Sequence, residues 1–189
     1  MVKAITIYTP PASAAHITAE DDAFIHDALF GRENGIIGGL VCEKVNDNVV
    51  RLFGGGVSNK GYILYIPDGY SHDLPVATGP VGMKRQDLVT ARFVRGGGST
   101  PDTHVFNLVQ GTPFPTSGTN TPPSLPGSDL SVPGSINEIP LFWVHLNGTT
   151  ITSVERYAAD LTPTKSDGKR VFVQSQTPLF PNEGDLWFW

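Results

Sequence analysis

Alternation of hydrophobic and polar residues with a period of two dominates the chain from residue 35 onward and predicts β-strands. Two segments, 61–66 and 139–146, carry apolar side chains on both faces, which is typical of strands in the middle of a sandwich or barrel. In chain order, the predicted strands are 2–8, 40–45, 49–53, 61–66, 87–95, 103–110, 139–146, 149–157 and 171–174. The pattern therefore predicts a mainly β fold.

One segment near the N-terminus has a helical period instead and predicts a single α-helix of about three turns. Thr18 is a suitable N-cap, and the acidic residues 20–22 fill the first turn, where the helix dipole favours negative charge. Asp21 stands where a capping box places an acid, and Gly31 is the expected C′ residue. The apolar stripe of this helix consists of Ala23, Phe24, Ile25, Ala28 and Leu29.

Short polar or glycine-rich segments separate the predicted strands. Residues 46–48 and the Asn147-Gly148 pair predict hairpins, the second with a type I′ turn, which requires positive φ at both central residues. The glycine-rich segments 54–61 and 96–98 predict a flexible hairpin and a hairpin tip. Segment 54–61 lacks the GxxxxGK[ST] spacing of a phosphate-binding loop and leads into a strand, so it does not predict a phosphate site.

Residues 111–137, which we call the Pro-rich loop, stand apart from the strand pattern. They contain six prolines and four glycines in 27 residues. Because proline cannot donate to a sheet ladder, no central strand fits here, and we expect a long excursion over the surface. The predicted organisation is a β domain over 1–160 that includes this loop, followed by a C-terminal extension, 161–189, with an aromatic end.

Composition supports an antiparallel β-sandwich or barrel-like domain with one N-terminal α-helix. Charged residues make up 16% of the chain, against roughly 25% in an average soluble domain, while Gly (21) and Pro (16) are abundant. The net charge of −5 argues against nucleic acid as a partner, since a phosphate backbone demands clustered Lys and Arg.

The N-terminus lacks a signal-peptide core and no apolar run suits a membrane helix, so we expect synthesis in the cytoplasm without membrane insertion.

Candidate chemistry is sparse, and the sequence predicts no catalytic, cofactor-binding or metal-binding residue. The five histidines are dispersed and are interpreted as unrelated surface or hairpin residues, and the acids 20–22 are explained by the helix start. Cys42, the single cysteine, cannot form an intrachain disulfide and has no nearby histidine in sequence. No GxSxG motif is present, and no pair of carboxylates stands out as a glycosidase would need. We therefore expect a protein that is not an enzyme.

The aromatic end of the chain is its most unusual feature. Trp187, Phe188 and Trp189 fall within four residues of each other, and Trp143 lies in a predicted strand. Such residues anchor subunit or partner interfaces, or form a platform on which sugar rings stack. Packing of the end onto its own domain is the remaining alternative.

The order of the segments carries more information than any one of them. It runs ITAEDDAFIHDALFGRENGIIGG, VRLFGGGVSNKGYILYIPDG, RQDLVTARFVRGGG, DTHVFNLVQGTP, the Pro-rich loop and EIPLFWVHLNGTTITSVERY. This order resembles a module of tailed-phage tail and baseplate proteins from phages of Gram-positive bacteria, over residues 16–160. The C-terminal segment TPLFPNEGDLWFW also resembles a short sequence motif that is frequent in phage fibre proteins.

The resemblance implies a non-enzymatic structural protein of the virion, in the tail tip or baseplate, that supports host adsorption. Its expected partners are further copies of itself, as a symmetric trimer or hexamer, and other phage tail proteins. The chain stops where longer relatives continue into a stem or receptor-binding head, and no catalytic residue is carried over. The alternative is a carbohydrate-binding module that contacts host cell-wall glycan through exposed Trp residues.

Overall fold

The computed structural model describes residues 18–30 and 33–161, together with the backbone of 171–173 and 186–188. This part of the chain is mainly β, with two antiparallel sheets and one helix, and fits a β-sandwich or barrel-like domain. The predicted strand 2–8 and the predicted helix end at Gly31 lie outside the described residues. Within those residues, no helix has the length and apolar character needed to span a membrane.

The chain divides into two units. The main unit contains residues 34–59 and 64–161, and the second unit contains 1–33, 60–63 and 162–189. In the second unit, strands β10 (Val171–Val173) and β11 (Leu186–Phe188) form a parallel pair. The strand predicted at 171–174 is thus confirmed over β10, whereas β11 was not predicted.

The predicted helix is confirmed as α1 (Ala19–Leu29), with Thr18 as its N-cap. The Asp21 carboxylate accepts hydrogen bonds from the Thr18 backbone N–H (2.8 Å) and hydroxyl (2.9 Å), as a capping-box acid is expected to do. Ala23 is buried, but Phe24 and Leu29 are exposed, so the apolar stripe is buried only in part. The Nδ1 atom of His26 lies 3.2 Å from the carbonyl oxygen of Gly61, which joins the helix to the turn at Lys60–Gly61.

The first sheet is built around β3. Its strands are β1 (Gly35–Ile37), β2 (Val41–Asn46), β3 (Val49–Asn59) and β4 (Tyr62–Pro75). Strands β1 and β2 pair with β3 antiparallel, and β4 also pairs with β3. Strands predicted at 40–45 and 49–53 are confirmed, while β1 was not predicted.

The glycine-rich segment predicted to be a flexible hairpin, 54–61, is mostly strand. Residues 54–59 continue β3, and the turn is confined to Lys60 and Gly61, both with positive φ (53° and 79°). Gly55 is required in the strand because its φ is +124° and a Cβ atom there would overlap the backbone of Leu40. Gly55 therefore allows a close approach between neighbouring backbones.

The second sheet has the order β6-β5-β8-β9 and is antiparallel. Its strands are β5 (Met83–Val94), β6 (Thr103–Val109), β7 (Phe114–Pro115), β8 (Ile136–Asn147) and β9 (Thr150–Arg156). The two-residue β7 pairs with the beginning of β5 and was not predicted. Strands predicted at 87–95, 103–110, 139–146 and 149–157 are confirmed, and the glycines 96–98 lie in the connection from β5 to β6.

Two strands were predicted to lie in the middle of a sandwich or barrel. The prediction is confirmed for β8 and wrong for β4. Strand β8 lies between β5 and β9, and Leu141 and Val144 are fully buried. Strand β4, by contrast, pairs only with β3 among the described strands, and Tyr65 is 66% exposed. Apolar residues on both faces thus mark a buried strand at β8 but an exposed sheet edge at β4.

The Asn147-Gly148 hairpin is confirmed, but its predicted turn type is wrong. Asn147 pairs with Thr150, so Gly148 and Thr149 are the central residues. Gly148 has a φ of +58°, whereas Thr149 does not have positive φ. A type I′ turn needs positive φ at both positions, and here the glycine supplies it at the first position only.

The core lies between the inner faces of the two sheets. Ile36, Leu52 and Val57 of the first sheet belong to the same buried cluster as Val89 and Leu141 of the second sheet. A buried amide pair also joins the sheets, and consists of Asn59 in β3 and Asn137 in β8. Asn59 Nδ2 donates to the Asn137 carbonyl oxygen (3.1 Å), and Asn137 Nδ2 donates to Asn59 Oδ1. These hydrogen bonds satisfy the two amides where water cannot reach them.

Candidate functional site

A polar cavity of about 650 Å³ lies between the second sheet and the Pro-rich loop, and we call it the polar cleft. The sheet contributes strands β5, β8 and β9, and the loop contributes Phe114 and residues 118–120. The side chains that line it include Lys84, Gln86, Phe114, Asn120, His145, Ser153 and Glu155. Its size lies within the range of small-molecule sites.

A β-bulge in β9 places two of these side chains in the cleft. His145 is opposite Ser153, while the next residue of β8, Leu146, is opposite Ile151, so Thr152 is an extra residue. In a regular strand, residue 155 would share the face of Ile151, which is buried in the core. The bulge reverses this alternation, so that Glu155 lines the cleft instead.

The polar side chains of the cleft contact one another in a chain. Gln86 Nε2 lies 2.8 Å from His145 Nδ1, and His145 Nε2 lies 3.3 Å from Glu155 Oε2. Ser153 Oγ donates to Glu155 Oε1 over 3.4 Å. The carboxylate thus lies between the imidazole and the hydroxyl, whereas in nucleophilic catalysis the imidazole lies between them. Glu155 is also the one carboxylate among the residues that line the cleft.

A buried ion pair supports the cleft from below. Arg85 and Asp87 are at most 1% exposed, and Arg85 Nε and Nη2 donate to the two Asp87 oxygens over 2.8 and 2.9 Å. Arg85 also donates to the carbonyl oxygens of Ala77 and Thr78. Asp87 Oδ1 accepts from the backbone N–H of Gly111 over 2.9 Å. The pair therefore fixes the beginning of the Pro-rich loop to β5.

The end of the Pro-rich loop is held equally firmly. The backbone N–H of Glu138 donates to the carbonyl oxygen of Pro126 over 2.8 Å. The buried Glu138 carboxylate accepts from Thr90 (2.6 Å), Asn107 (3.0 Å) and Arg92 (3.1 Å). The loop is thus anchored to the second sheet at both ends, as expected of an excursion that lies over the surface.

A second cavity, of about 520 Å³, lies between β4 and β6, and we call it the apolar groove. The residues that line it include Leu64, Tyr65, Tyr70, His72, His104 and Phe106. Tyr65 and Tyr70 are 66% and 70% exposed, and the rings of His72 and Phe106 lie 6.1 Å apart. Among the described strands, β4 pairs only with β3 and β6 only with β5, so the groove separates two open sheet edges.

His104 lines the apolar groove, and its side chain is largely buried. Its ring packs edge-to-face on Phe93 with centroids 5.3 Å apart, and neither ring nitrogen has a hydrogen-bond partner. Burial lowers the pKa of His104 from 6.5 to about 4, because the charged imidazolium loses its hydration. The side chain is therefore neutral near pH 7.

Of the predicted aromatic site residues, Trp143 is the one whose side chain the structure describes. It is half-buried in β8, and its ring packs edge-to-face on Tyr157 with centroids 5.7 Å apart. The His145 ring of the polar cleft is 6.4 Å away. The backbone of Trp187 and Phe188 lies in β11 of the second unit, and Trp189 lies outside the described residues.

Neither a metal site nor an activated cysteine is present in the part of the chain that the structure describes. No group of three or more His, Cys, Asp or Glu residues there could hold a metal ion. The thiol of Cys42 is buried, and burial, with a smaller contribution from Glu43, raises its pKa to about 12. A thiol in this environment is a poor nucleophile.

No protein-family model matches the chain, and no curated protein matches it. The resemblance to phage tail and baseplate modules therefore rests on the order of segments in the sequence.

The sequence interpretation missed the polar cleft because its residues are far apart in the chain. His145 was interpreted as an unrelated histidine, but it contacts Gln86 and Glu155 in three-dimensional space. Alternation along strand β8 puts Trp143 and His145 on one face of the strand, a signal in the sequence that the interpretation did not use. The bulge that adds Ser153 and Glu155 to this face has no marker in the sequence.

Proposed function

We propose that this chain is a non-enzymatic structural protein of a phage tail tip or baseplate, which assembles into a symmetric homo-oligomer and supports host adsorption. It is synthesised in the host cytoplasm and incorporated into the virion. The sequence resemblance over residues 16–160 supports the phage assignment, and the apolar groove supports the assembly role.

The observation that carries the assembly role is the pair of open edges beside the apolar groove. An unpaired strand edge presents free backbone donors and acceptors to another chain, and natural proteins usually protect it. Here the flanking groove exposes Tyr65 and Tyr70, and tyrosine is enriched in protein interfaces. A partner segment placed between β4 and β6 would cover both the edges and the aromatic rings.

Symmetry makes such a contact effective even when each copy binds weakly. In a closed trimer or hexamer every copy is held by two neighbours, so dissociation requires both contacts to break. Other tail proteins are the further partners in this proposal. Trp187, Phe188 and Trp189 remain candidates for the same role at the C-terminal end.

The mass of the purified full chain in solution, measured by light scattering at several concentrations, tests this proposal. A stable trimer or hexamer is the expected result. A strict monomer at every concentration would contradict self-assembly and leave only assembly with other tail proteins.

Deletion of residues 186–189 tests the aromatic end separately. We expect the truncated chain to dissociate at a higher concentration than the full chain, because aromatic side chains contribute much of the energy of interfaces. An unchanged oligomer mass would show that residues 186–189 are not part of the interface.

A second candidate function, carbohydrate binding, is favoured by the aromatic pair beside the polar cleft. Trp143 and the 55% exposed Tyr157 offer ring surface within reach of polar side chains, which is the combination that sugar rings require. Retention on isolated Gram-positive cell-wall glycan, compared between the full chain and Trp143→Ala, tests it. The variant Trp187→Ala tests whether the C-terminal aromatic residues contribute to binding. Equal retention of the unmodified chain, Trp143→Ala and Trp187→Ala would argue against binding through tryptophan.

A further inference from the structure

The polar cleft has walls that suit a ligand and polar atoms that lack partners. Asn120 Oδ1 and His145 Nε2 are buried in the wall, and neither has a hydrogen-bond partner in the described structure. His145 Nε2 faces Glu155 Oε2 at 3.3 Å without the geometry of a hydrogen bond. Because buried polar groups are normally satisfied, these two atoms leave unused hydrogen-bonding capacity in the wall of the cleft.

The charges of the cleft indicate a neutral ligand. Arg85 reaches the cavity, but its guanidinium is occupied by the Asp87 carboxylate and two backbone carbonyls. Lys84 and Glu155 then contribute one charge of each sign. A phosphate or another anion would need an excess of positive charge, which neither the cleft nor a chain of net charge −5 supplies.

The remaining side chains match the surface of a sugar. Glu155 is an acceptor for hydroxyl groups and is 61% exposed, and the amides of Gln86 and Asn120 can both donate and accept. Phe114, contributed by the Pro-rich loop, adds one aromatic ring, against which the C–H face of a sugar can pack.

We propose that the polar cleft binds a neutral saccharide, with Glu155, Gln86 and Asn120 as its hydrogen-bonding residues and Phe114 as its apolar wall. This inference rests on the second candidate function above and names the site and the class of ligand for it. The Pro-rich loop is then part of the binding site, since it supplies one wall of the cleft and is anchored at both ends.

An NMR titration of the isotope-labelled full chain with glucose, galactose, N-acetylglucosamine and their disaccharides tests the proposal. We expect saturable shifts at the signals of Gln86, His145 and Asn120 with at least one of these sugars. Glu155→Gln removes the charge that accepts from sugar hydroxyls, and should weaken binding by about tenfold or more. Asn120→Ala should also weaken it.

Glu43→Gln is the matched control, because Glu43 is an exposed carboxylate on β2 of the other sheet. The affinity of the Glu43→Gln variant for the sugar should equal that of the unmodified chain. Binding that survives Glu155→Gln and Asn120→Ala but is lost in Trp143→Ala would overturn the cleft and leave carbohydrate binding in place. Absence of any shift with every sugar would overturn both the saccharide site in the cleft and carbohydrate binding as a function. The assembly role would still be tested separately by the solution mass.

Discussion

The polar cleft and the apolar groove belong to the same unit, yet their walls are built in opposite ways. The cleft lies on β5, β8 and β9, and β5 and β8 have neighbouring strands on both sides, so its recognition groups are side chains. The groove lies between edge strands, so it offers unpaired backbone and aromatic surface instead. The first arrangement suits a small polar ligand of defined shape, and the second suits an extended segment of another protein.

The two regions also differ in how they are supported. Beneath the cleft, the Arg85–Asp87 pair is buried and bonded to three backbone groups in two separate segments, 77–78 and Gly111. Beside the groove, the corresponding pair is Arg51–Asp73, which is exposed on β3 and β4. A preformed pocket needs a rigid floor, whereas a surface completed by a partner does not.

The largest effect that we predict comes from removing the support of the cleft. Asp87→Ala leaves the Arg85 guanidinium buried without its counter-charge, and should lower the free energy of unfolding by about 3–5 kcal/mol. Urea denaturation monitored by tryptophan fluorescence measures the change. Asp73→Ala is the matched control, because its partner Arg51 stays in water, and should change the midpoint little.

The next effect concerns the groove and depends on pH. The pKa of His104 is lowered to about 4 in the folded protein, so the unfolded chain takes up the proton first as the pH falls. Stability should therefore be complete above about pH 6.5 and decline toward pH 4, by at most about 3 kcal/mol from this residue. In His104→Leu this part of the pH dependence should disappear. An identical slope in the variant would show that His104 is not the group responsible.

The smallest effect concerns Cys42, which belongs to the buried core between the two sheets. Because burial raises the pKa of Cys42 to about 12, a disulfide reagent at mildly alkaline pH should react with the folded chain at least about a hundredfold more slowly than with the chain in urea. Equal rates would mean that the region around β2 opens readily, and the groove and cleft would then lack a common rigid core.

Much of the fold follows from local patterns in the sequence. The helix is marked by Thr18 and Asp21, and most strands by their two-residue period. The prediction fails at β4, whose apolar residues occupy both faces although the strand lies at an edge. Periodicity reports which side chains are apolar, but whether a face is covered depends on long-range packing that the pattern does not contain.

The candidate sites were much harder to predict than the fold. Trp143 was predicted from its residue type as an interface or glycan-binding residue, and this stays a prediction. The cleft beside it depends on the extra residue Thr152, which turns Glu155 away from the core. It also depends on the Pro-rich loop lying across the sheet, through Gly111 and its bond to Asp87. Neither contact is local in sequence, so composition and spacing gave no indication of either.

The most direct test of the central claim, assembly through the apolar groove, is the solution mass of two matched tyrosine variants. Tyr65→Ser combined with Tyr70→Ser removes the exposed rings of the groove, and Tyr157→Ser removes a comparably exposed ring outside it. We predict that the double variant falls toward the monomer mass while Tyr157→Ser keeps the oligomer of the unmodified chain. A double variant that retains the full oligomer mass would contradict the account.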